Sequence, residues 1–338
     1  MEEKAPKIKL GISIGDPNGI GIEVILKAFQ DKRMFGFFTP IVFGHTKLLS
    51  QQRKHLNIDT LIAPYTLGKK PSNSQLNVVE VLTPPFELNF GKITEEGGSH
   101  ALASLRAATK ALKENHIDVL VTAPINKQNI QTKEFNFPGH TDYLANELGG
   151  DSLMFMVSDV LKVGLMTDHI PVSEVAQHLT PERIKTKVKK MDASLKEDFG
   201  IQKPKIAVLG INPHTGDNGV IGKEDDTVLK PSLKELFDDG YFVYGPYAAD
   251  SFFGSTLPQS FDAVLATYHD QGLIPFKTLT FGEGVNFTAG LSRIRTSPDH
   301  GTAMDIAGKG EASSASFEEA MFYARTIFLT KKQNKNID

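Results

Sequence analysis

Short apolar segments alternate with amphipathic segments along most of the chain. Apolar runs such as Ile8–Ile14 have the length and composition of buried strands. The stretch 97–114 places Leu102, Leu105 and Leu112 on one face and predicts a long amphipathic helix. Because strands and helices alternate in this way, the pattern predicts an α/β protein with a mostly parallel sheet.

Two local signals add detail to this pattern. The tripeptide Thr180-Pro181-Glu182 predicts the start of a helix that runs to about Phe199, with Thr180 as its N-cap. The apolar runs 154–158 and 163–167 are separated by a short turn, so we expect them to pair as antiparallel strands.

A polar loop at 135–142 interrupts the alternation. The 338 residues are enough for two domains of about 150 residues each. We expect residues 1–130 and 290–338 to form one α/β domain that brings the chain termini together. Residues 131–289 would form the second, and the cleft between the two domains is the expected place for ligands.

Composition narrows the class of protein. Hydrophobic residues make up 40% and charged residues 23%, and the net charge of -3 does not favour nucleic acid as a partner. No apolar run approaches the ~20 residues of a membrane span, and the N-terminus lacks the apolar core of a signal peptide. Without cysteine, any metal must be held by His, Asp or Glu. A cytoplasmic enzyme that binds neither membranes nor nucleic acid is the expectation.

The first strand runs into the turn GDPNGIG, residues 15–21, and then into a helix. Backbone amides at the start of a helix can cradle an anion. The alternative is a tight strand-to-helix turn without a ligand, for which glycine and Asp-Pro-Asn are equally suited.

Three histidines share one sequence context, because His169, His214 and His269 each follow the end of an apolar run. Parallel strands place their carboxyl ends at one edge of a sheet, so the three imidazoles are expected to converge. Three neutral imidazoles with an open position are a catalytic metal set, and Asp168, Asp217 and Asp270 lie beside them as expected hydrogen-bond partners. The alternative is that each histidine is an ordinary loop or core residue.

Cations crowd one stretch of an otherwise slightly acidic chain. Lys277, Arg293 and Arg295 are separated by Asn286 in an apolar segment punctuated by glycine. This arrangement favours a pocket for carboxylate or phosphate. A solvated surface is the alternative.

With these residues laid out, the sequence resembles the 4-hydroxythreonine-4-phosphate dehydrogenases, enzymes of pyridoxal phosphate synthesis. The resemblance covers nearly the whole chain. The motifs that carry it are GDPNGIG (15–21), TAPINK (122–127), PGHTDYL (138–144), DHIP (168–171), INPHTGDNG (211–219), GPYAADSFF (245–253), YHDQGLIPFK (268–277) and NFTAGLSRIRTSPDHGTAMDIAGKG (286–310).

The resemblance implies an isocitrate/isopropylmalate dehydrogenase-like fold, with two α/β/α domains and a cleft between them. It implies a homodimer with active sites at the interface, the second domain supplying the metal site and the dimer interface. His169, His214 and His269 match ligands of a divalent metal, which would be Zn, Mg or Co. The positions that match binding residues for a small phosphorylated substrate are His140, Thr141, Lys277, Asn286 and Arg295.

The segment HGTAMDIAGKG also resembles the HGSAPDIAGKG loop that holds the adenosine half of the cofactor in isopropylmalate dehydrogenases, with Met304 in place of proline. Asp305 falls where the NAD-using relatives carry an aspartate on the ribose. A carboxylate there repels a 2′-phosphate, so we expect NAD to be preferred over NADP. The cofactor-binding positions that follow are His300, Gly301, Thr302, Ala303 and Asp305.

The implied reaction is metal-dependent oxidation of 4-phosphooxy-L-threonine at C3. The product, 2-amino-3-oxo-4-phosphooxybutanoate, is a β-keto acid that decarboxylates to 3-amino-2-oxopropyl phosphate. Asp250, Lys277 and Asp270 are the candidates for the general base.

Three alternatives stay open at this point. The substrate could be a related four-carbon sugar-acid phosphate, threonate or erythronate 4-phosphate, served by the same residues. Phosphate acyltransferases share the fold class, but they need neither the histidines nor the HGTAMDIAGKG loop. A catalytically inactive binding protein is the third alternative, and the intact histidines and cations argue against it.

Overall fold

The computed structural model describes residues 7–84, 87–131, 135, 137, 139–150 and 152–335. Asn136 and Pro138, which belong to the predicted polar loop and the PGHTDYL motif, lie outside the described residues, as do 1–6 and 336–338 at the termini. The chain divides into two compact units. The first contains Met1–Gly150 and Leu291–Phe328, and the second contains Asp151–Gly290 and Leu329–Asp338.

Strands and helices alternate along the described residues, as the apolar pattern predicts. The strands are β1 (Ile8–Ser13), β2 (Phe38–Gly44), β3 (Ile62–Pro64), β4 (Leu76–Glu80), β5 (Val119–Thr122), β6 (Leu153–Val157), β7 (Lys162–Leu165), β8 (Ile206–Leu209), β9 (Val243–Tyr247), β10 (Ala263–Ala266), β11 (Val285–Ala289) and β12 (Arg295–Pro298).

The α-helices are numbered in the same way. They are α1 (Gly21–Ala28), α2 (Thr46–His55), α3 (Glu95–Lys113), α4 (His140–Leu148), α5 (Val175–His178), α6 (Pro181–Glu197), α7 (Lys230–Asp238), α8 (Ala249–Phe253), α9 (His269–Thr280) and α10 (Ala315–Lys335). Short 3-10 helices cover Lys32–Gly36, Val172–Glu174, Pro213–Gly219 and Leu257–Ser260, and a π-helix covers Asp225–Leu229. No helix of the described residues is long and apolar enough to cross a membrane.

In the first unit, the strands follow the order β3-β4-β2-β1-β5-β12, and the paired strands all run parallel. This confirms the predicted parallel sheet. Helix α3 packs on β1, β2 and β5 through an apolar face that includes Leu105 and Leu112, both fully buried. Thr94 caps this helix by accepting a hydrogen bond from the amide of Gly97 at 3.1 Å.

The first unit extends further along the chain than residue 130. Helix α4 contributes Tyr143, Leu144 and Leu148 to the same apolar cluster as Leu105 of α3 and Leu291. The division observed in the structure therefore falls after Gly150 and before Leu291, whereas the sequence placed it after residue 130 and before residue 290. It also assigns residues from Leu329 onwards, at the end of α10, to the second unit.

In the second unit, the strands follow the order β11-β6-β7-β10-β8-β9. Strands β7, β10, β8 and β9 are parallel, whereas β6 pairs antiparallel with both β7 and β11. The predicted antiparallel pairing of β6 and β7 is thus confirmed. Thr180 caps α6 as predicted, because its hydroxyl accepts a hydrogen bond from the amide of Arg183 at 3.3 Å. This sheet brings the carboxyl ends of β7, β10 and β8 side by side.

Candidate active site

The GDPNGIG turn is a tight, hydrogen-bonded junction. The amide of Asn18 donates to Asp16 Oδ1 at 2.9 Å, that of Gly19 to the Asp16 carbonyl at 3.1 Å, and that of Ile20 to the Thr302 carbonyl at 3.0 Å. Asp16 and Asn18 are both buried. These amides have partners inside the protein, which favours the alternative of a tight strand-to-helix turn.

The same junction holds the loop that the sequence assigns to the cofactor. A Cβ at Gly19 would lie 2.7 Å from the carbonyl oxygen of Thr302, so only glycine permits this close approach. Ala303 adopts φ +42°, in the left-handed region that non-glycine residues rarely occupy. The turn GDPNGIG therefore fixes the backbone of the loop at Thr302.

The other residues of this loop differ in exposure. The Nδ1–H of His300 donates to the carbonyl of Gly301 at 3.0 Å, while its Nε2 is buried and has no hydrogen-bond partner among the described residues. Asp305 is exposed on the turn that follows Ala303. An unsatisfied buried ring nitrogen is a costly feature, and a ligand that hydrogen-bonds to it would remove the cost.

A cationic cluster surrounds the start of α4 in the first unit. Arg295, at the start of β12, is buried, and both Nε and Nη2 donate to the hydroxyl of Thr122 at the end of β5, at 3.1 and 2.6 Å. Burial lowers the pKa of Arg295 to about 9. The structure thus holds a guanidinium away from water, at a site where a bound anion would stabilise its charge.

His140 lies beside this guanidinium. Burial is the largest cause that lowers its pKa well below 6.5, followed by the positive charges of Arg295 and Lys127. The imidazole is therefore neutral at pH 7, and its buried Nε2 has no hydrogen-bond partner among the described residues. His140 and Arg295, both predicted as substrate residues, are brought together as expected.

Thr141, one of the predicted substrate residues, lies in the first turn of α4. The helix begins at His140, and Gly139 occupies the N-cap position. Thr141 is therefore the second residue of the helix. This position places it next to His140, at the N-terminal end of α4, where the helix dipole favours a negative charge.

Two of the three predicted metal ligands meet in the second unit. The ring centroids of His169 and His269 are 6.0 Å apart. Both line a pocket of ≈ 250 Å³ together with Asp168, Tyr268 and Asp270. The Nδ1–H of His269 donates to Asp270 Oδ1 at 2.7 Å, which leaves the Nε2 lone pair available for a metal. The Asp168 carboxylate accepts from the amide of His169 at 2.8 Å.

The third predicted ligand occupies an unusual backbone segment. His214, Thr215, Asp217 and Asn218 all have positive φ, between 44° and 55°, in the turn after β8. His214 is exposed there. Within the described part of the chain, no three His, Asp or Glu side chains form a group that could hold a metal. The structure therefore pairs His169 with His269 and does not bring His214 into a closed ligand set with them.

The remaining predicted residues also lie in the second unit. Lys277 is exposed on α9, and Asp250 is exposed on α8. Asn286 pairs with Met156 between β11 and β6, and its Oδ1 is buried with no hydrogen-bond partner among the described residues. Like His140 Nε2, this oxygen is a polar atom that a ligand would satisfy.

Some functional neighbours were missed in the sequence. Lys127 was quoted only as part of a motif, yet its charge acts on His140. Lys127 follows β5 in the segment TAPINK. Ligands bind beyond the carboxyl ends of the strands in open α/β sheets, and this rule would have identified it. Arg293, by contrast, was grouped with the anion-binding cations, but its Nη2 donates to the carbonyl of Lys113 at the end of α3, at 3.4 Å.

Comparison with known proteins connects this arrangement to one family. A family model for the pyridoxal phosphate biosynthetic protein PdxA matches residues 36–324. A 4-hydroxythreonine-4-phosphate dehydrogenase from Bacteroides thetaiotaomicron is 46% identical, over 99% of this chain and 92% of its own length. A protein from Oceanobacillus iheyensis, provisionally named D-threonate 4-phosphate dehydrogenase, is 36% identical, over 95% of this chain and 98% of its own.

Solved structures agree with these relatives. The crystal structure of 4-hydroxythreonine-4-phosphate dehydrogenase from Klebsiella pneumoniae superimposes with a TM-score of 0.81, at 32% identity, over 95% of this chain and 99% of that one. The chain therefore has the α/β fold of a solved 4-hydroxythreonine-4-phosphate dehydrogenase. The matching family and its relatives define a dehydrogenase, an oxidoreductase that acts on a CH–OH group. The chain belongs to the family of the pyridoxal phosphate biosynthetic protein PdxA. Membership implies a nucleotide cofactor and a divalent metal.

Proposed function

We propose that this chain oxidises 4-phosphooxy-L-threonine at C3, with NAD⁺ as hydride acceptor and with a divalent cation bound. The C3 hydrogen leaves as hydride to the nicotinamide and the hydroxyl proton leaves to a base, which gives 2-amino-3-oxo-4-phosphooxybutanoate. This β-keto acid then loses CO₂, because the electrons of the broken C–C bond pass to the neighbouring ketone. After protonation, the product is 3-amino-2-oxopropyl phosphate.

The observation that carries the proposal is the pocket shared by His169 and His269. The residue types in this pocket suit a divalent cation: the ring centroids of the two imidazoles are 6.0 Å apart, and Asp270 accepts a hydrogen bond from Nδ1 of His269. His214 is the expected third ligand. When bound, the cation supplies Lewis-acid stabilisation of negative charge on the substrate oxygen. Zinc, magnesium and cobalt all fit imidazole ligands held near carboxylates, with magnesium the least suited to nitrogen donors.

The cationic cluster at α4 supports the assignment of a phosphorylated substrate. Arg295 holds a buried positive charge, and Lys127 adds a second charge close to His140. A guanidinium is suited to the oxygens of phosphate or carboxylate. His140 stays neutral in this setting, so it can hydrogen-bond to the substrate through Nε2 without adding a third positive charge. In the second unit, Lys277 and Asn286 are the proposed contributors.

The proton of the C3 hydroxyl needs an acceptor. Asp270 is hydrogen-bonded to His269, so in this arrangement its carboxylate orients the imidazole rather than meeting the substrate. Asp250 and Lys277 are exposed, so substrate can approach either of them. We assign the general base to one of these two residues.

NAD is the proposed cofactor, bound through the loop that begins at His300. The GDPNGIG turn fixes this loop at Thr302, and Asp305 is exposed where it can meet a ribose. Its carboxylate accepts hydrogen bonds from ribose hydroxyls and repels the 2′-phosphate of NADP.

A homodimer with the active site at the interface is also proposed. Large apolar side chains are exposed on the segments that carry the three histidines. Val172 is 74% exposed, Val220 81%, Ile274 64% and Phe281 87%. A partner subunit that packs on these segments would cover the exposed apolar side chains. A drop in specific activity on dilution, together with a monomer in sedimentation, is the expected result.

A related sugar-acid phosphate is the second candidate substrate, because a 36%-identical relative carries the name of a D-threonate 4-phosphate dehydrogenase. A panel of 4-phosphooxy-L-threonine, D-threonate 4-phosphate and D-erythronate 4-phosphate decides between them. We expect the amino-acid phosphate to give the highest kcat/KM for NADH formation. A higher kcat/KM for either sugar-acid phosphate would show that it, and not 4-phosphooxy-L-threonine, is the substrate.

A further inference from the structure

The three strands that precede the proposed metal ligands are neighbours in the second unit. Strand β10 lies between β7 and β8 and runs parallel to both. His169 follows β7, His269 follows β10 and His214 follows β8. The distances between the three turns therefore depend on how these strand ends are held together.

Backbone pairing stops just before the histidines. The last ladder contact between β7 and β10 is the amide of Met166, which donates to the carbonyl of Ala266 at 2.8 Å. Beyond this point, side-chain hydrogen bonds connect the two strand ends. The hydroxyl of Thr167 donates to the carbonyl of Thr267 at 2.7 Å, which ties the turn of His169 to that of His269. Thr167 is 2% exposed and Thr267 is fully buried, so this bond is shielded from water.

Gln271 extends the chain of hydrogen bonds to the third strand. Its Oε1 accepts from both the amide and the hydroxyl of Thr267, each at 2.8 Å. Its Nε2 donates to the carbonyl of Gly210 at 2.6 Å, directly after β8. One side chain on α9 therefore connects the end of β10 to the end of β8, and Thr167 connects β10 to β7.

A buried carboxylate continues this network on the side of His214. Asp225 is fully buried and accepts hydrogen bonds from the amides of Ile211 and Asn212, at 2.9 and 3.1 Å. The Nδ2 of Asn212 donates to the same carboxylate at 3.0 Å. These bonds fix the backbone between Gly210 and the left-handed segment that carries His214.

We propose that Gln271 and Thr167 are positioning residues for the metal centre, because they set the spacing of the turns that carry His169, His214 and His269. The inference rests on the proposed metal role of these histidines. Both polar ends of the Gln271 side chain are engaged by Thr267 and Gly210. Gln271 acts through the backbone at Gly210 and Thr267, so its loss is expected to change the metal affinity and the ligand geometry of the site.

Cobalt(II) binding to the full-length protein tests the inference. Its affinity is measured by competition with a chelator, and its ligand geometry by the visible absorption of the bound ion. Gln271→Met removes both polar ends of the side chain at similar length, and Thr167→Val removes only the bond between β7 and β10. Thr278→Val is the matched control, since the Thr278 hydroxyl bonds within α9 itself, to the carbonyl of Ile274 at 2.8 Å.

We expect Gln271→Met and Thr167→Val to bind cobalt about tenfold or more weakly than the parent, with an altered visible spectrum, while Thr278→Val matches the parent. Circular dichroism confirms that each variant is folded, and Thr167→Val decides the question if Gln271→Met does not fold. A purely structural role lowers the melting temperature and leaves cobalt affinity and spectrum unchanged, and that result would overturn the inference. If the parent itself binds no cobalt, the proposed metal role fails, and the positioning role fails with it.

Discussion

Arg295 and Thr122 form a buried pair in which one hydroxyl accepts hydrogen bonds from two guanidinium nitrogens, at 3.1 and 2.6 Å. A hydroxyl cannot neutralise the positive charge. The pair orients the guanidinium, and burial lowers the pKa of Arg295 to about 9. A buried guanidinium is suited to binding the oxygens of an anion.

Replacing this arginine by an apolar residue of similar length separates stability from binding. Arg295→Met is expected to be as stable as the parent or more stable, because it removes the desolvation cost of a buried charge. Its kcat/KM for the phosphorylated substrate is expected to fall by about 100-fold or more, mainly through KM. Urea unfolding and steady-state kinetics measure the two effects. Normal substrate affinity in this variant would rule out Arg295 as the anion ligand.

The neutral state of His140 predicts a pH dependence of stability. The pKa of His140 is well below 6.5 in the folded protein because of burial and the nearby cations, and it returns to about 6.5 on unfolding. The unfolded chain therefore binds the extra proton first, and stability is lost as pH falls below about 6.5. Unfolding free energies at about pH 7.5 and about pH 5.5, for the parent and for His140→Asn, isolate this contribution. The parent should lose more stability than the variant. Equal losses would show that His140 is not held neutral.

The metal role of His214 is testable although the structure does not place it in a closed ligand set. His214→Ala is expected to lower metal-dependent kcat/KM by about 1000-fold, the equivalent of the several kcal/mol that a metal contributes to charge stabilisation. His178→Ala is the control, because His178 is a half-exposed histidine elsewhere in the same unit. Its activity should equal that of the parent. Parent-like activity in His214→Ala would show that His214 is not a ligand of a catalytic metal.

Cofactor choice is expected to depend on Asp305. Asp305→Asn removes the negative charge that repels a 2′-phosphate, so the ratio of kcat/KM for NAD to that for NADP should fall by about tenfold. Glu311→Gln removes an exposed carboxylate from the same segment and serves as the control. Its ratio should match that of the parent. An unchanged ratio in Asp305→Asn, or a parent that prefers NADP, contradicts the assignment.

The sequence predicts the strands and the position of the histidines correctly where the apolar runs and the geometry of parallel sheets agree. The apolar runs before His169 and His269 were recognised as strands, and parallel neighbours necessarily bring their carboxyl ends together. His140 and Arg295 are separated by most of the second unit in sequence. Their common site followed from family resemblance, and no local signal would have revealed it.

Helix α9 shows why other parts could not be predicted. Its sequence contains Gly272 and Pro275, which are both poor helix formers. Gly272 is needed because the helix packs closely on the sheet: a Cβ at 272 would lie 2.7 Å from Val163 Cγ1 and 2.9 Å from Ala266 Cβ. The fit against β7 and β10 thus overrides the local preference. The left-handed turn of His214 depends in the same way on Asp225, a partner that becomes visible only in the folded chain.

Metal dependence of NADH formation from 4-phosphooxy-L-threonine tests the central claim most directly. The full-length protein is stripped of metal with a chelator, dialysed, and assayed with NAD⁺ before and after addition of zinc, cobalt or magnesium. We predict no turnover in the stripped protein, and restored turnover that yields one NADH and one CO₂ for each substrate consumed. Undiminished NADH formation in the metal-free protein, or none from this substrate with any metal, would contradict the account.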